Sequence, residues 1–281
     1  MLRIITLMEN EKANHGALLN EHGLSFYIEY NDKRFLFDTG ATGNFLINAD
    51  RLGVDLDKLD GVIISHNHYD HGGGFLDFLK RGYKVPVLYT GKEFFHIKYK
   101  KGEGSKYTLD SSGITEKVLE KYNVKHVVCS NVFKLSEGAY IVSGFESLND
   151  FEKPNPKFLR EELNCKGFED LIVDDFREEA ALVFETENGL VLLVGCSHPG
   201  IVNMIMKVQN TFEKPIYGVY GGTHLVAADD NRIENTLEFC KNSEIKVLGM
   251  CHCTGSHGED MIKEKGDFES VHLAPGDVVI L

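Results

Sequence analysis

Short apolar runs broken by Gly, Asn and Asp recur along the first third of the chain, at 2–8, 25–30, 34–38, 61–65 and 85–89, and each has the length of a strand. The polar triplet Asn31-Asp32-Lys33 between two of them predicts an antiparallel hairpin. Helix-period patterns fall between the strands, at 42–52, 75–80, 115–122, 202–211 and 231–242. The second half repeats the plan with runs at 180–185, 190–194, 216–220 and 247–250, a turn at Glu187-Asn188-Gly189 and a last hairpin near Pro275-Gly276-Asp277. Alternation of the two periods predicts an α/β chain built of two similar βα halves. The least regular stretch, 147–175, carries Pro154-Asn155-Pro156 and reads as a long loop or insertion. One domain over 1–281, with an insertion around 90–175, is the organisation expected.

Composition narrows the classes. A chain of 281 residues with 42% apolar and 26% charged positions can bury a full core, which excludes disordered and fibrous classes. Its net charge of −13 argues against nucleic acid and against a membrane surface as partners. The run Lys98, Lys100 and Lys101 reads as a solvated face. No apolar stretch approaches the ~18 residues of a membrane span, and the apolar run from Ile4 to Met8 is too short for a signal peptide. The 6 cysteines lack the dense spacing of a secreted framework, so a soluble protein of the reducing cytoplasm, with free thiols, is expected. Oligomeric state stays open.

The chemistry is concentrated where the run 61–65 empties into His66-Asn67-His68-Tyr69-Asp70-His71-Gly72-Gly73-Gly74. Clustered neutral imidazoles beside a carboxylate are poor core material, but they suit a divalent ion held at ~2.0–2.2 Å by nitrogen and oxygen. Three more histidines each follow an apolar run: His198 in Gly195-Cys196-Ser197-His198-Pro199-Gly200, His224 in Gly221-Gly222-Thr223-His224-Leu225, and His252 in Cys251-His252-Cys253-Thr254-Gly255. Strands of one sheet present their carboxyl ends along one edge, so these residues can converge on two metal ions. His126 alternates as in an edge strand, His96 and His272 have no ligand company, and His257 reads as surface.

This pattern resembles that of the metallo-β-lactamase-fold superfamily, His-x-His-x-Asp-His followed by three separated ligands, over nearly the whole chain. The strings His22-Gly23-Leu24-Ser25 and Leu36-Phe37-Asp38-Thr39-Gly40, with the three quoted above, resemble a subgroup of metal-dependent hydrolases that includes dihydropterin-ribofuranosylaminobenzene-phosphate synthase-like proteins. The resemblance implies a four-layer αββα fold with mixed sheets and two divalent ions, zinc first, iron or manganese as alternatives. It assigns His66, His68 and His198 to the first ion and Asp70, His71 and His252 to the second. At position 224, where many members supply a bridging aspartate, this chain has His224, either a terminal ligand or a group facing substrate. Asp38 is expected to orient a metal-bound histidine, with a helix-capping turn as the alternative, and the loop of His22 to touch substrate. Of Cys251, His252 and Cys253 the histidine is the expected ligand, because neighbours in an extended segment point opposite ways; Cys196 is expected to be packing.

A divalent ion lowers the pKa of bound water from 15.7 toward ~7, which predicts a hydrolase acting through a metal-bound hydroxide on an ester, lactone or phosphoester of a small molecule. Asp70 would orient the nucleophile and His224 would stabilise the developing charge or protonate the leaving group. A pterin-related synthase, whose substrates are pterin-like or phosphorylated, is a second expectation, and a non-hydrolytic metal or redox protein a third.

Overall fold

The computed structural model describes every residue except 15, 105 and 164–168, so Cys165 lies outside the described residues. The first half contributes β1 (Leu2–Met8), β2 (Ser25–Tyr30), β3 (Lys33–Phe37), α1 (Asn44–Leu52), β4 (Gly61–Ile63), α2 (Tyr69–Gly72), α3 (Phe75–Lys80), β5 (Leu88–Gly91), β6 (Lys98–Lys101), β7 (Tyr107–Leu109), α4 (Glu116–Lys121) and β8 (His126–Cys129). There follow β9 (Val132–Ser136), β10 (Ala139–Ser143), β11 (Phe158–Leu163), β12 (Glu169–Val173), β13 (Ala180–Thr186), β14 (Gly189–Val194), α5 (Ile201–Phe212), β15 (Ile216–Gly221), α6 (Asp230–Asn242), β16 (Val247–Met250), α7 (Gly255–Lys265), β17 (Glu269–His272) and β18 (Val278–Ile280).

Two 7-stranded sheets form the body, in the orders β18-β1-β2-β3-β4-β5-β8 and β17-β16-β15-β14-β13-β10-β9. In each, antiparallel strands at one end give way to parallel strands at the other. The apolar runs explain the layering, because successive side chains of a strand point to opposite faces. Phe35 and Phe37 of β3 meet Val191 and Leu193 of β14 in the core between the sheets. Leu36 turns outward onto Phe45, Phe75 and Phe78 of α1 and α3. Leu190, Leu192 and Val194 turn outward onto Val202, Ile205, Ile233 and Ile262 of α5, α6 and α7. Helix, sheet, sheet, helix is the result, as the family resemblance implies.

Several local readings are corrected. The first hairpin forms, but Tyr30 pairs with Lys33, so its turn is Asn31-Asp32, with Asn31 at φ 53. Near Pro275-Gly276-Asp277 there is no hairpin: β17 runs parallel to β16 in one sheet and β18 antiparallel to β1 in the other, so this turn carries the chain between sheets. The stretch 147–175 is not simply a loop, because β11 and β12 join β6 and β7 in a 4-stranded sheet. Charged residues interrupt the apolar alternation there, as in Phe158-Leu159-Arg160-Glu161-Glu162, and that hid the strands. Lys98 is buried, not solvated: its Nζ lies 2.5 Å from Asp174 and 2.6 Å from Glu178. The helix α7 went unpredicted because its opening Gly255-Ser256-His257-Gly258 carries no apolar period. Among the described residues no helix is long and apolar enough to cross a membrane.

Candidate metal centre

Every predicted site residue except His22, which lies in the loop before β2, leaves the carboxyl end of a strand. Asp38 follows β3, His66 to His71 follow β4, His198 follows β14, His224 follows β15 and His252 follows β16. Parallel neighbours within each sheet bring these ends to a common edge, and the two sheets face one another there. Gly195 permits the close approach: a Cβ on it would lie 2.3 Å from Ser65 Oγ. The loops are forced into uncommon backbone, with Asp38 at φ 59, Phe176 at 51, Ser197 at 61, His224 at 51 and His252 at 53. Left-handed non-glycine residues cost on the order of 1–3 kcal/mol and gather where function holds them in place.

His66, His68 and His198 bring their donor atoms within 4.8 Å of one another. Their protonation is legible from their partners. Ser65 Oγ donates to Asp38 Oδ2 at 2.8 Å and therefore accepts from His66 Nδ1 at 2.9 Å, leaving His66 Nε2 as a bare lone pair. That atom faces His68 Nδ1 at 3.1 Å. A second facing pair lies beside it. His71 Nδ1 donates to the buried Asp38 carboxylate at 2.6 Å, and His252 Nδ1 donates to Asn10 Oδ1 at 2.8 Å. The Asn10 oxygen is identified by the Gly23 N–H that it also accepts at 3.1 Å. The two Nε2 atoms so released stand 3.1 Å apart, and His252 Nε2 is 3.5 Å from Asp70 Oδ2. In the His71–His252 pair two lone pairs would face one another in a buried site and repel unless a cation or a shared proton lay between them, so the donor set fits divalent metal. His198 Nε2, buried with no hydrogen-bond partner, points to the same conclusion.

Burial is the first cause that holds the His66, His68 and His198 imidazoles well below the ordinary histidine value. Burial also pushes His71 down, but Asp38 and Asp70 outweigh it and raise it to about 9, so without metal one proton occupies the place of the cation. For Asp70 burial acts upward, and His71 with the hydrogen bond from His22 outweighs it, keeping the group an anion. His224 is pushed down to about 4 by burial, then by Arg232 and His252. Its ring lies 4.4 Å from that of His198, yet it belongs to none of the clusters of converging donors. His22 sits at the mouth, Nε2 3.1 Å from Asp70 Oδ2, with its side chain 54% exposed.

Other residues of the site escaped the sequence reading. Glu179 accepts the N–H groups of Ser197 at 2.6 Å and His198 at 2.9 Å and so shapes that loop; burial raises its carboxyl to about 8. Phe176 stacks on His198 with centroids 3.8 Å apart. Phe158, carried in on β11, lies 5.0 Å from His198 and 5.7 Å from His224. Cys196 is not mere packing, since its Sγ is 3.1 Å from His71 Nε2. The extended geometry expected around His252 is absent: His252–Thr254 is a 3-10 turn, which leaves Cys251 in the core between the sheets and brings Cys253 beside His252 and Cys196. Only a signal of tertiary contact could have found these residues.

The centre opens into a cleft of about 180 Å³ lined among others by Tyr69, Lys100, Asp110, Lys157, Phe158 and His224. A larger cavity of about 620 Å³ is lined by Glu93, Glu146, Arg177 and others but by no histidine. Comparison with known proteins decides the family. The profile of the metallo-beta-lactamase superfamily matches residues 20–200. The chain belongs to the metallo-beta-lactamase superfamily. Within that superfamily it is 31% identical to 7,8-dihydropterin-6-methyl-4-(beta-D-ribofuranosyl)-aminobenzene-5'-phosphate synthase of Methanocaldococcus jannaschii, over 96% of this chain and 94% of the relative. Tm1679, a metal-dependent hydrolase of the beta-lactamase superfamily, superposes with a TM-score of 0.83 at 28% identity, covering 100% of this chain and 99% of that one. The metallo-beta-lactamase fold protein YhfI from Bacillus subtilis, at 13% identity and a TM-score of 0.58 with full coverage of both chains, shares the fold.

Proposed function

We propose that the chain is a metal-dependent hydrolase of a small, anionic, ring-bearing substrate, with His66, His68 and His198 holding one divalent ion and Asp70, His71 and His252 a second, zinc before iron or manganese. One observation carries this reading: two pairs of facing imidazole nitrogens, each 3.1 Å apart, at the base of a cleft. When bound, the metal supplies Lewis acidity and brings the pKa of its water toward ~7. The protein does the rest. Asp70, an anion at neutral pH, accepts a hydrogen bond and orients the attacking group. His224 presents a neutral N–H to charge developing on the substrate. Lys100 and Lys157 line the cleft and attract a phosphate or carboxylate despite the negative whole, while Phe158 and Tyr69 offer ring faces and His22 covers the mouth. The 4-stranded sheet is read as an insertion of a single domain, supplying Lys100 and Phe158 to the substrate. The 5 described cysteines, all free, support a cytoplasmic setting.

A second reading, a pterin-related synthase, draws support from the M. jannaschii relative, whose product by name joins a dihydropterin to an aminobenzene carrying a ribose 5'-phosphate. A lysine pair with aromatic walls fits such a molecule too. Assay of zinc-loaded protein against phosphoesters, lactones, thioesters and a dihydropterin phosphate paired with a ribosyl-aminobenzene phosphate separates the two. Release of alcohol from an ester or phosphoester supports hydrolysis; a condensed pterin product without hydrolysis selects the synthase. His224→Ala is expected to keep both ions and lose turnover by ~10²–10⁴-fold. Loss of an ion with it would make His224 a ligand instead.

A further inference from the structure

We infer that Asp110, which follows β7 in the insertion, is a positioning residue for the metal centre: its carboxylate receives the Nε2 proton of His68 and so keeps Nδ1 of that ring bare. This rests on the metal-dependent reading above. His68 turns Nδ1 toward the centre, 3.1 Å from His66 Nε2. Its other nitrogen is buried and, among the described residues, has no hydrogen-bond partner. The rings of Phe158 and Phe176, each 5.3 Å from that of His68, offer it nothing polar. The acceptor within reach is Asp110 Oδ2 at 3.6 Å, roughly half an ångström longer than a hydrogen bond.

The tautomer matters because the alternative blocks the site. A proton on His68 Nδ1 is donated to His66 Nε2 and fills the place of a cation; on Nε2 it leaves both facing nitrogens bare. Asp110 favours the second state, because a buried acid gains a donor by it. It is not itself a ligand: it joins none of the clusters of converging donors and meets the ring at the nitrogen turned away from them. The insertion also grips both neighbours of His68. Tyr69 N–H donates to Asp110 O at 2.8 Å, and Asp110 N–H donates to Lys98 O on β6 at 2.8 Å. On the other side Ser112 donates its N–H at 3.2 Å and its O–H at 2.5 Å to Asn67 Oδ1, and Asn67 Nδ2 donates to His96 O at 3.1 Å. Carboxylate and ring are thus set against one another by hydrogen bonds on either side of His68.

Nitrogen-15 NMR of the histidine rings in zinc-loaded protein tests this, with the His68 signals assigned by their absence from His68→Gln. Wild type needs no further variant: a proton on His68 Nε2, protected from exchange with solvent, is expected. In Asp110→Ala that protection should vanish and zinc should bind ~10–100-fold more weakly, read by competition with a chelator. Asp110→Asn, whose carbonyl still accepts, should keep the protected proton and most of the affinity, a rescue that a mere packing role would not give. A proton on His68 Nδ1 in loaded wild type, unchanged zinc affinity in Asp110→Ala, or equal losses in the Ala and Asn variants overturn the inference while leaving the metal enzyme standing. Failure of the wild-type protein to bind zinc at all overturns both.

Discussion

Asp38 shows how much of a metal centre one buried carboxylate can organise. It accepts Ser65 N–H at 2.7 Å, Ser65 O–H at 2.8 Å and His71 Nδ1–H at 2.6 Å, so its two oxygens meet only donors. Through Ser65 it orients His66, and directly it orients His71; the helix-capping alternative fails because the N-cap of α1 is Gly43, with no side-chain cap. In Asp38→Asn, whichever way the amide is placed, its NH₂ confronts a donor. Metal affinity is expected to fall ~10–100-fold, read by competition with a chromophoric chelator. The residues of the His-x-His-x-Asp-His string were legible because they are neighbours in sequence. Asn10, Glu179 and Cys196 were not: each acquires its meaning from a contact with a distant segment, such as the 2.8 Å bond between Asn10 and His252.

Among elements, β6 and β11 were the hardest to read and have much to do with the cleft. A lysine in Lys98-Tyr99-Lys100-Lys101 reads as solvent-facing, yet Lys98 is buried against Asp174 and Glu178, and Lys100, two positions on and so on the same face of β6, lines the cleft. Lys98→Met removes the ammonium shared by two buried carboxylates and leaves only Arg160, 3.8 Å from Asp174. Removing one partner of such a cluster costs ~3–5 kcal/mol, so the urea midpoint should drop by that equivalent, with catalysis impaired because Phe176, which stacks on His198, lies between Asp174 and Glu178 in sequence. A midpoint within error of wild type would show the cluster to be energetically neutral. By contrast β3, β14 and β15 were plain, because strands buried on both faces are continuous apolar runs.

Across the whole molecule, contacts between the first and last segments close the centre. Glu9, just after β1, accepts the His252 N–H at 2.6 Å, and His272 on β17 lies 3.6 Å from Glu9 and 2.9 Å from Glu259 on α7. The hydrogen bond that His272 donates to Glu259, then the nearby Glu9 carboxylate, raises His272 from 6.5 to about 10. A folded-state value above the unfolded one means that His272 stabilises fully below about 6.5 and loses this contribution as pH rises through about 10. His272→Gln should therefore destabilise at pH 6, less at pH 8, and little above pH 10, as followed by denaturant midpoints at each pH. An equal loss at all three would show that its charge is not involved.

The sequence by itself determined the α/β class, the two mixed halves and the string that carries the site, because apolar period and ligand spacing are local properties written into adjacent positions. Tertiary structure alone decided which nitrogen of each histidine is bare, that Cys196 and Cys253 stand beside His252, and that a lysine run reaches the cleft. Those depend on side chains meeting across the chain, 33 positions apart for Asp38 and His71 and 242 apart for Asn10 and His252, where hydrogen-bond partners and burial set protonation and direction.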